Sequence, residues 1–250
     1  MKSIVHIITP IITEGIRTLA DVEPFLRPDL EVRHSLIRTG PASIECSADE
    51  ALSVPGILEQ ALAAERDGAT AIVIDCMGDP GLEAARELVS IPVLGPAQTS
   101  MHYASLLGHR FAFVTVLDRL YPLIDGLVAR YGLRENYAGF GAIDIPVLEI
   151  EHRLDEVVEQ LASESLRLVR DHRAGAIVLG CTGFLGCAEK IAERLAADGH
   201  PVPVIDPIPL LLHSADSLCK LGLSHSGHVY PLPRRKPLAG FALADRYEEP

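Results

Sequence analysis

The chain has 250 residues, enough for one large domain or two small ones. Hydrophobic residues make up 48% and charged residues 22%, which excludes disorder as the dominant state. A net charge of -12, with no basic run longer than Arg234-Arg235-Lys236, excludes a basic nucleic-acid interface.

In chain order, residues 4–8 form the first apolar strand pattern and residues 31–37 the second. A helix is predicted over residues 53–67, with Ile57, Leu58, Ala61 and Leu62 at helical spacing and Gly68 closing it. Ala71–Ile74 is the third strand and ends at Cys76. In the turn Met77-Gly78-Asp79-Pro80-Gly81, Asp79 is suited to cap a helix running to Leu88, with Pro80 as its first residue. That helix N-terminus would lower the Cys76 thiol pKa and offer amides to an anion or a developing oxyanion. Pro92-Val93-Leu94 is a fourth strand. A second set follows: strands at 111–116, 145–150, Ala176–Leu179 and 202–205, with a helix over 154–171 before the third. The βαβ alternation predicts a mostly parallel sheet architecture with helices on both faces. No apolar run approaches the ~20 residues of a membrane helix. Met1-Lys2-Ser3 runs straight into a strand without a signal-peptide pattern, so the chain is expected in the cytoplasm, with no membrane partner.

The chain also repeats itself. Ala71-Ile72-Val73-Ile74-Asp75-Cys76-Met77-Gly78 aligns with Ala176-Ile177-Val178-Leu179-Gly180-Cys181-Thr182-Gly183 at an offset of 105 residues, Cys76 to Cys181. Thr9 and Thr115 end the opening strands of the two copies at nearly the same offset. Two similar α/β halves follow, each with one cysteine at the carboxyl end of a strand, the end that faces the ligand crevice in open parallel sheets. Packed about a pseudo-twofold axis, the halves aim two thiols at one cleft.

A single strand cysteine is ordinarily a small core residue; matched positions in a repeat reverse that expectation for Cys76 and Cys181. Cys46, Cys187 and Cys219 have no such counterparts and are expected to be structural. The odd total of five cysteines disfavours a disulfide framework. The Cys181/Cys187 spacing is not a zinc spacing, so no metal is predicted. After Cys181, Thr182 brings a hydroxyl beside backbone amides, and Gly183 allows close backbone approach to a ligand. The segment Thr39 to Glu45, with Ser43, suits a plain turn and a substrate contact equally. Two opposed thiols suit one reaction: a thiolate removes a proton from a carbon beside a carbonyl, and the opposing thiol returns one on the other face. Nothing in that scheme demands a cofactor, and the glycine-rich nucleotide fingerprints are absent.

Gly40-Pro41-Ala42-Ser43-Ile44-Glu45, Cys76-Met77-Gly78-Asp79-Pro80-Gly81-Leu82, Val178-Leu179-Gly180-Cys181-Thr182-Gly183 and Pro203-Val204-Ile205-Asp206 resemble the Asp/Glu/hydantoin racemase superfamily, hydantoin racemase branch. The similarity covers nearly the whole chain. It implies two flavodoxin-like lobes with the active-site cleft between them: residues 1–97 plus about 208–250 carrying Cys76, and 98–207 carrying Cys181. It further implies Cys76 and Cys181 as catalytic acid/base residues, with Thr9, Gly78, Thr115 and Thr182 in the substrate cleft. Ser43, Met77, Asp79 and Gly183 complete the candidate substrate contacts. Thr9-Pro10-Ile11-Ile12-Thr13 replaces the Asn-Pro-Asn-Thr usual in the family, and Gly183 stands where amino-acid racemases carry His; both argue against glutamate or aspartate as substrate. The expected activity is cofactor-independent racemisation of a 5-substituted hydantoin or an allantoin-like compound by a small-molecule enzyme that forms a homo-oligomer. The alternatives are a maleate isomerase-like or arylmalonate decarboxylase-like enzyme, or a non-catalytic two-lobed binding protein. A redox dithiol would need Cα atoms ~6 Å apart, leaving no room for substrate.

Overall fold

The strands Ala71–Ile74 (β3) and Ala176–Leu179 (β7) are unbroken apolar runs, buried throughout. Strands of that kind are stable only where helices cover both faces of their sheet. The computed structural model, which describes residues 2–241 and 243, arranges them so. The first sheet contains β1 (Ser3–Thr9), β2 (Leu30–Leu36), β3 and β4 (Val93–Leu94) in the order β2-β1-β3-β4. The second contains β5 (Phe111–Thr115), β6 (Tyr137–Ala142), β7 and β8 (Val204–Ile205) in the order β6-β5-β7-β8. All pairings are parallel, and the two orders are the same order twice. The chain is an α/β protein of two like lobes.

Helices α1 (Leu19–Val22), α2 (Ser47–Arg66) and α3 (Leu82–Leu88) follow strands of the first sheet. Helices α4 (Pro96–Gly108), α5 (Tyr121–Arg130), α6 (Leu154–His172) and α7 (Ala188–Ala197) belong to the second, and α8 (Pro207–Leu221) ends the helical chain. α2 and α3 bury Ile57, Leu62 and Leu82 against Ile8, Ile72 and Ile74. On the opposite face α8 presents Ile208, Leu211, Leu212 and Ala215, one stripe at helical spacing, to Val5, Ile7 and Val73. The last helix therefore returns to the first sheet. Its four apolar anchors are fully buried, and each large one contributes ~1.5–3 kcal/mol by leaving water. The expected extension of the first lobe to residue 250 lies, at 242 and 244–250, outside the described residues. Among the described residues no helix is long and apolar enough to cross a membrane.

Two elements differ most from the sequence expectation. The strand expected at 145–150 is instead a pair of 3-10 turns, Val147–Glu149 and Glu151–Arg153, and β6 lies earlier, at Tyr137–Ala142. Asp144 adopts φ 55 and Pro146 has no N–H to donate, so an extended ladder cannot run through them. The true strand was hidden by Gly139 and Gly141, which weaken a strand pattern. α6 packs closely over both: a Cβ at Gly141 would lie 2.9 Å from Glu164 Oε2, which would have to move aside. The second difference is α2, which starts at Ser47 and runs through Pro55.

Candidate active site

The repeat places the two cysteines by the same hydrogen bonds. Beyond β3, Asp75 N–H donates to Ile8 O at 2.9 Å; beyond β7, Gly180 N–H donates to Val114 O at 2.7 Å. Each sheet is thereby extended by one residue, and the next residue is the cysteine. Each cysteine carbonyl then accepts the N–H three residues on, Asp79 to Cys76 at 3.0 Å and Phe184 to Cys181 at 3.1 Å. The two turns are thus the same turn at corresponding sheet edges. Both cysteines line one cavity of about 460 Å³, whose walls come from both lobes.

Thr9, Met77, Gly78, Thr182 and Gly183 line this cavity with them. Met77 also packs into the second lobe's core with Met101 and Phe111. Ser43, Asp79 and Thr115 lie outside the lining. The Ser43 hydroxyl donates to Glu45 Oε1 at 3.3 Å. Thr115 is fully buried and donates to Gly180 O at 2.8 Å, fixing the residue before Cys181. Asp79 turns away entirely. Its carboxylate caps α4, accepting Ala97 N–H at 2.9 Å and Gln98 N–H at 2.8 Å, and accepts the Tyr131 hydroxyl at 2.6 Å. The expected cap of the helix after Cys76 is instead Gly81, at φ 67, and that helix begins at Leu82. Asp79 thus joins the first lobe's cysteine turn to two helices of the second lobe. Cys46, Cys187 and Cys219 all lie off the cavity: Cys46 and Cys187 occupy helix-capping positions, and Cys219 Sγ is 3.3 Å from Thr70 O. All five cysteines are free thiols.

The expected lowering of the Cys76 pKa does not occur. Burial pushes this thiol well above its usual range, and the charges of Glu50, Cys181 and Asp79 add to that, against one backbone N–H from Gly78. Burial likewise pushes Cys181 up to about 12, opposed by the Gly183 N–H, 3.4 Å from Sγ, and by Arg17. Desolvation outweighs a few amide dipoles here because α3 starts six residues past Cys76, beyond the reach of a terminal dipole. Both sulfurs are therefore held as thiols at neutral pH.

Under the cysteines lies a buried ion pair that sequence inspection missed. Arg17 and Asp75 are each 5% exposed. Arg17 Nε donates to Asp75 Oδ2 at 2.9 Å, and its Nη2 donates across the cleft to Thr182 O at 2.7 Å. Thr9 Oγ1 donates to the same carboxylate at 2.8 Å, and Thr182 Oγ1 to Asp75 O at 3.3 Å. Burial alone would raise the Asp75 pKa, but the guanidinium and these hydroxyls hold it below the usual carboxylate range. One guanidinium therefore ties together the two cysteine turns. Arg17 lies in an irregular stretch between β1 and α1 and carries no local pattern; the only sequence signal was Asp75, a charge inside an apolar repeat where the second copy has Gly180. Glu50, in the first turn of α2, is a further cavity residue the sequence did not single out. Among the described residues no three His, Cys, Asp or Glu side chains are grouped as metal ligands would be.

Two like α/β lobes thus close a cleft over paired strand-end cysteines. The sequence model of the Asp/Glu/Hydantoin racemase family matches residues 15–215. The chain is 36% identical to the hydantoin racemase of Pseudomonas sp. (strain NS671) over 229 residues, which cover 91% of this chain and 89% of that one. It is 38% identical to the hydantoin racemase of Rhizobium meliloti over 201 residues, 80% and 81% of the two chains. Its fold matches allantoin racemase from Klebsiella pneumoniae with a TM-score of 0.89 at 35% identity, covering 96% and 97%. The chain belongs to the Asp/Glu/hydantoin racemase family. It is an isomerase, a racemase of that superfamily.

Proposed function

We propose that this racemase inverts the C5 centre of a 5-substituted hydantoin or an allantoin-like ureide, with Cys76 and Cys181 as the two bases and no cofactor. The observation that carries the reading is the placement of both thiols, by the same backbone bonds, on one cavity between the lobes. C5 lies beside the C4 carbonyl, so its proton is acidic enough for a thiolate, and the carbanion is delocalised as an enolate. One sulfur takes the C5 proton and becomes a thiol; the opposing thiol delivers its proton to the other face and becomes the thiolate. The pair first loses one proton to water; from then on it carries one negative charge before and after each inversion, so turnover needs no further proton donor. The Gly78 and Gly183 N–H groups, which already face the two sulfurs, serve whichever is the thiolate. The raised thiol pKa values make that thiolate a strong base once formed, matched to a weak carbon acid.

The test is to incubate single enantiomers of 5-benzylhydantoin and of allantoin with the protein in D2O. Loss of optical rotation should accompany deuterium uptake at C5 and survive EDTA treatment. Deuterium uptake without loss of rotation would exclude inversion, and loss of activity on chelation restored by zinc would exclude the cofactor-free scheme.

A further inference from the structure

The cavity's charges are unevenly satisfied. Arg17, the one cation among its described lining residues, is committed to Asp75 and Thr182 O. Asp21 and Glu151 are exposed at the rim. Glu50 is different: it is half-buried, faces the cavity, and its carboxyl makes no hydrogen bond or ion pair among the described residues. Its position is built rather than incidental. A Cβ on Gly78 would overlap Glu50 Oε1, so the glycine two residues after Cys76 is what lets the carboxyl lie against that turn. The backbone of Gly78 therefore has the Cys76 sulfur on its N–H and the Glu50 carboxyl against its Cα.

Resting on the proposed reaction, we infer that Glu50 is the specificity-determining residue of the cleft: its carboxylate accepts a ring N–H of the substrate and excludes substrates that bring a carboxylate. A cyclic ureide has N–H groups flanking its carbonyls and no net charge, whereas an amino acid or an aryl acid brings an anion for which this cavity has no free cation. Burial and the neighbouring Asp79 push the Glu50 carboxyl up to about 7, as befits an acid with no donor of its own; a bound N–H supplies that donor. Arg130, the one cation acting on it, opposes this shift only in part.

The experiment compares wild type, Glu50→Ala and Glu50→Gln on 5-benzylhydantoin and on its N1-methyl and N3-methyl derivatives, by C5 deuterium uptake and by calorimetric binding. A hydrogen bond to a charged group is worth roughly 10- to 100-fold. Glu50→Ala should lower kcat/KM on the parent by that factor while leaving one of the two N-methyl derivatives unchanged within about threefold, because that derivative has no N–H to lose. Glu50→Gln, which keeps the shape of the side chain, should bind the anionic ring-opened N-carbamoyl amino acid at least about tenfold more tightly than wild type. Equal losses on the parent and both derivatives, or no loss on any, would overturn the inference. So would unchanged binding of the anion by Glu50→Gln, which also decides the matter if Glu50→Ala fails to fold. A wild-type protein that binds hydantoins through Glu50 without exchanging C5 would retain the inference and sink the proposed reaction; one that exchanges C5 with no Glu50 dependence would do the reverse.

Discussion

The two cysteine turns share a backbone and differ in their surroundings. Before Cys76 stands Asp75, tied to Arg17; before Cys181 stands Gly180, packed so tightly on Phe113 that no side chain fits. Cys76 sits among the acids Glu50 and Asp79, whereas Cys181 feels Asp75 together with the Arg17 guanidinium. The repeat thus supplies position twice, while charge is supplied once, and the sulfurs are not electrostatically equivalent. A racemase must hand its proton both ways, so this asymmetry bears on which sulfur gives up its proton more readily to become the base.

Removing a sulfur breaks the comparison most completely. Cys76→Ala and Cys181→Ala should each reduce racemisation by at least about 10³-fold, since each face loses its only acid or base. Cys46→Ala and Cys219→Ala should leave the rate near wild type, because neither residue lines the cavity. Cys76→Ser and Cys181→Ser sharpen the point: each should retain slow C5 exchange of one enantiomer, and of opposite enantiomers, by proton NMR in D2O. Exchange of the same enantiomer by both would mean that the thiols do not oppose each other.

The next effect is on the frame beneath the sulfurs. Arg17→Met leaves Asp75 as a buried, unpaired carboxylate and removes the guanidinium bond to Thr182 O. Loss of one partner of a buried pair costs about 3–5 kcal/mol. Urea unfolding should show that loss, and Arg17→Met combined with Asp75→Asn should recover part of it. An unchanged midpoint in the single variant would remove the ion pair's structural role.

A smaller effect reads the asymmetry itself. Burial raises both thiols, but the acids Glu50 and Asp79 further disfavour the Cys76 thiolate, whereas the Arg17 guanidinium favours that of Cys181. As pH rises, iodoacetamide should therefore alkylate Cys181 before Cys76, and peptide mass mapping at partial modification gives the order. The reverse order would place the stronger thiolate support at Gly78, against the charge distribution.

The contrast between position and charge also explains what was legible in the sequence. The strands β3 and β7, their cysteines and the parallel fold could be read because each rests on a contiguous apolar run or a local repeat. Arg17 and Asp75 are 58 residues apart, and Arg17 meets Thr182 at a separation of 165. No window of sequence contains such a pair. Asp79 misled for a related reason: as the residue before Pro80 it is a sound local cap, yet its carboxylate found α4 and Tyr131, 18 to 52 residues on. Glu50 gave no signal because its burial depends on a missing side chain at Gly78. Tyr137–Ala142 was lost to two glycines whose purpose shows only once α6 lies across them.

The smallest effect concerns Glu50 and pH. An unfolded chain ionises this carboxyl near 4.5, whereas the folded protein keeps it protonated until about pH 7. The folded state then binds more protons between those values, so stability falls as pH rises through the window and the whole of that loss persists above it. Glu50→Gln has no proton to lose. Its melting temperature should match wild type within about a degree at pH 4.5 and clearly exceed it at pH 8, each kcal/mol being worth about 2–4 °C in a chain of this size. Asp206, raised to about 6 by burial, slopes the same way, and His6 and His225, lowered to about 4, slope oppositely; all are present in both proteins and cancel in the difference. A difference that stayed constant from pH 4.5 to 8 would show that Glu50 titrates as it does in water. A hydantoin bound to wild type at pH 8 should close much of the gap, because the ring N–H supplies the donor that no described residue gives this carboxylate.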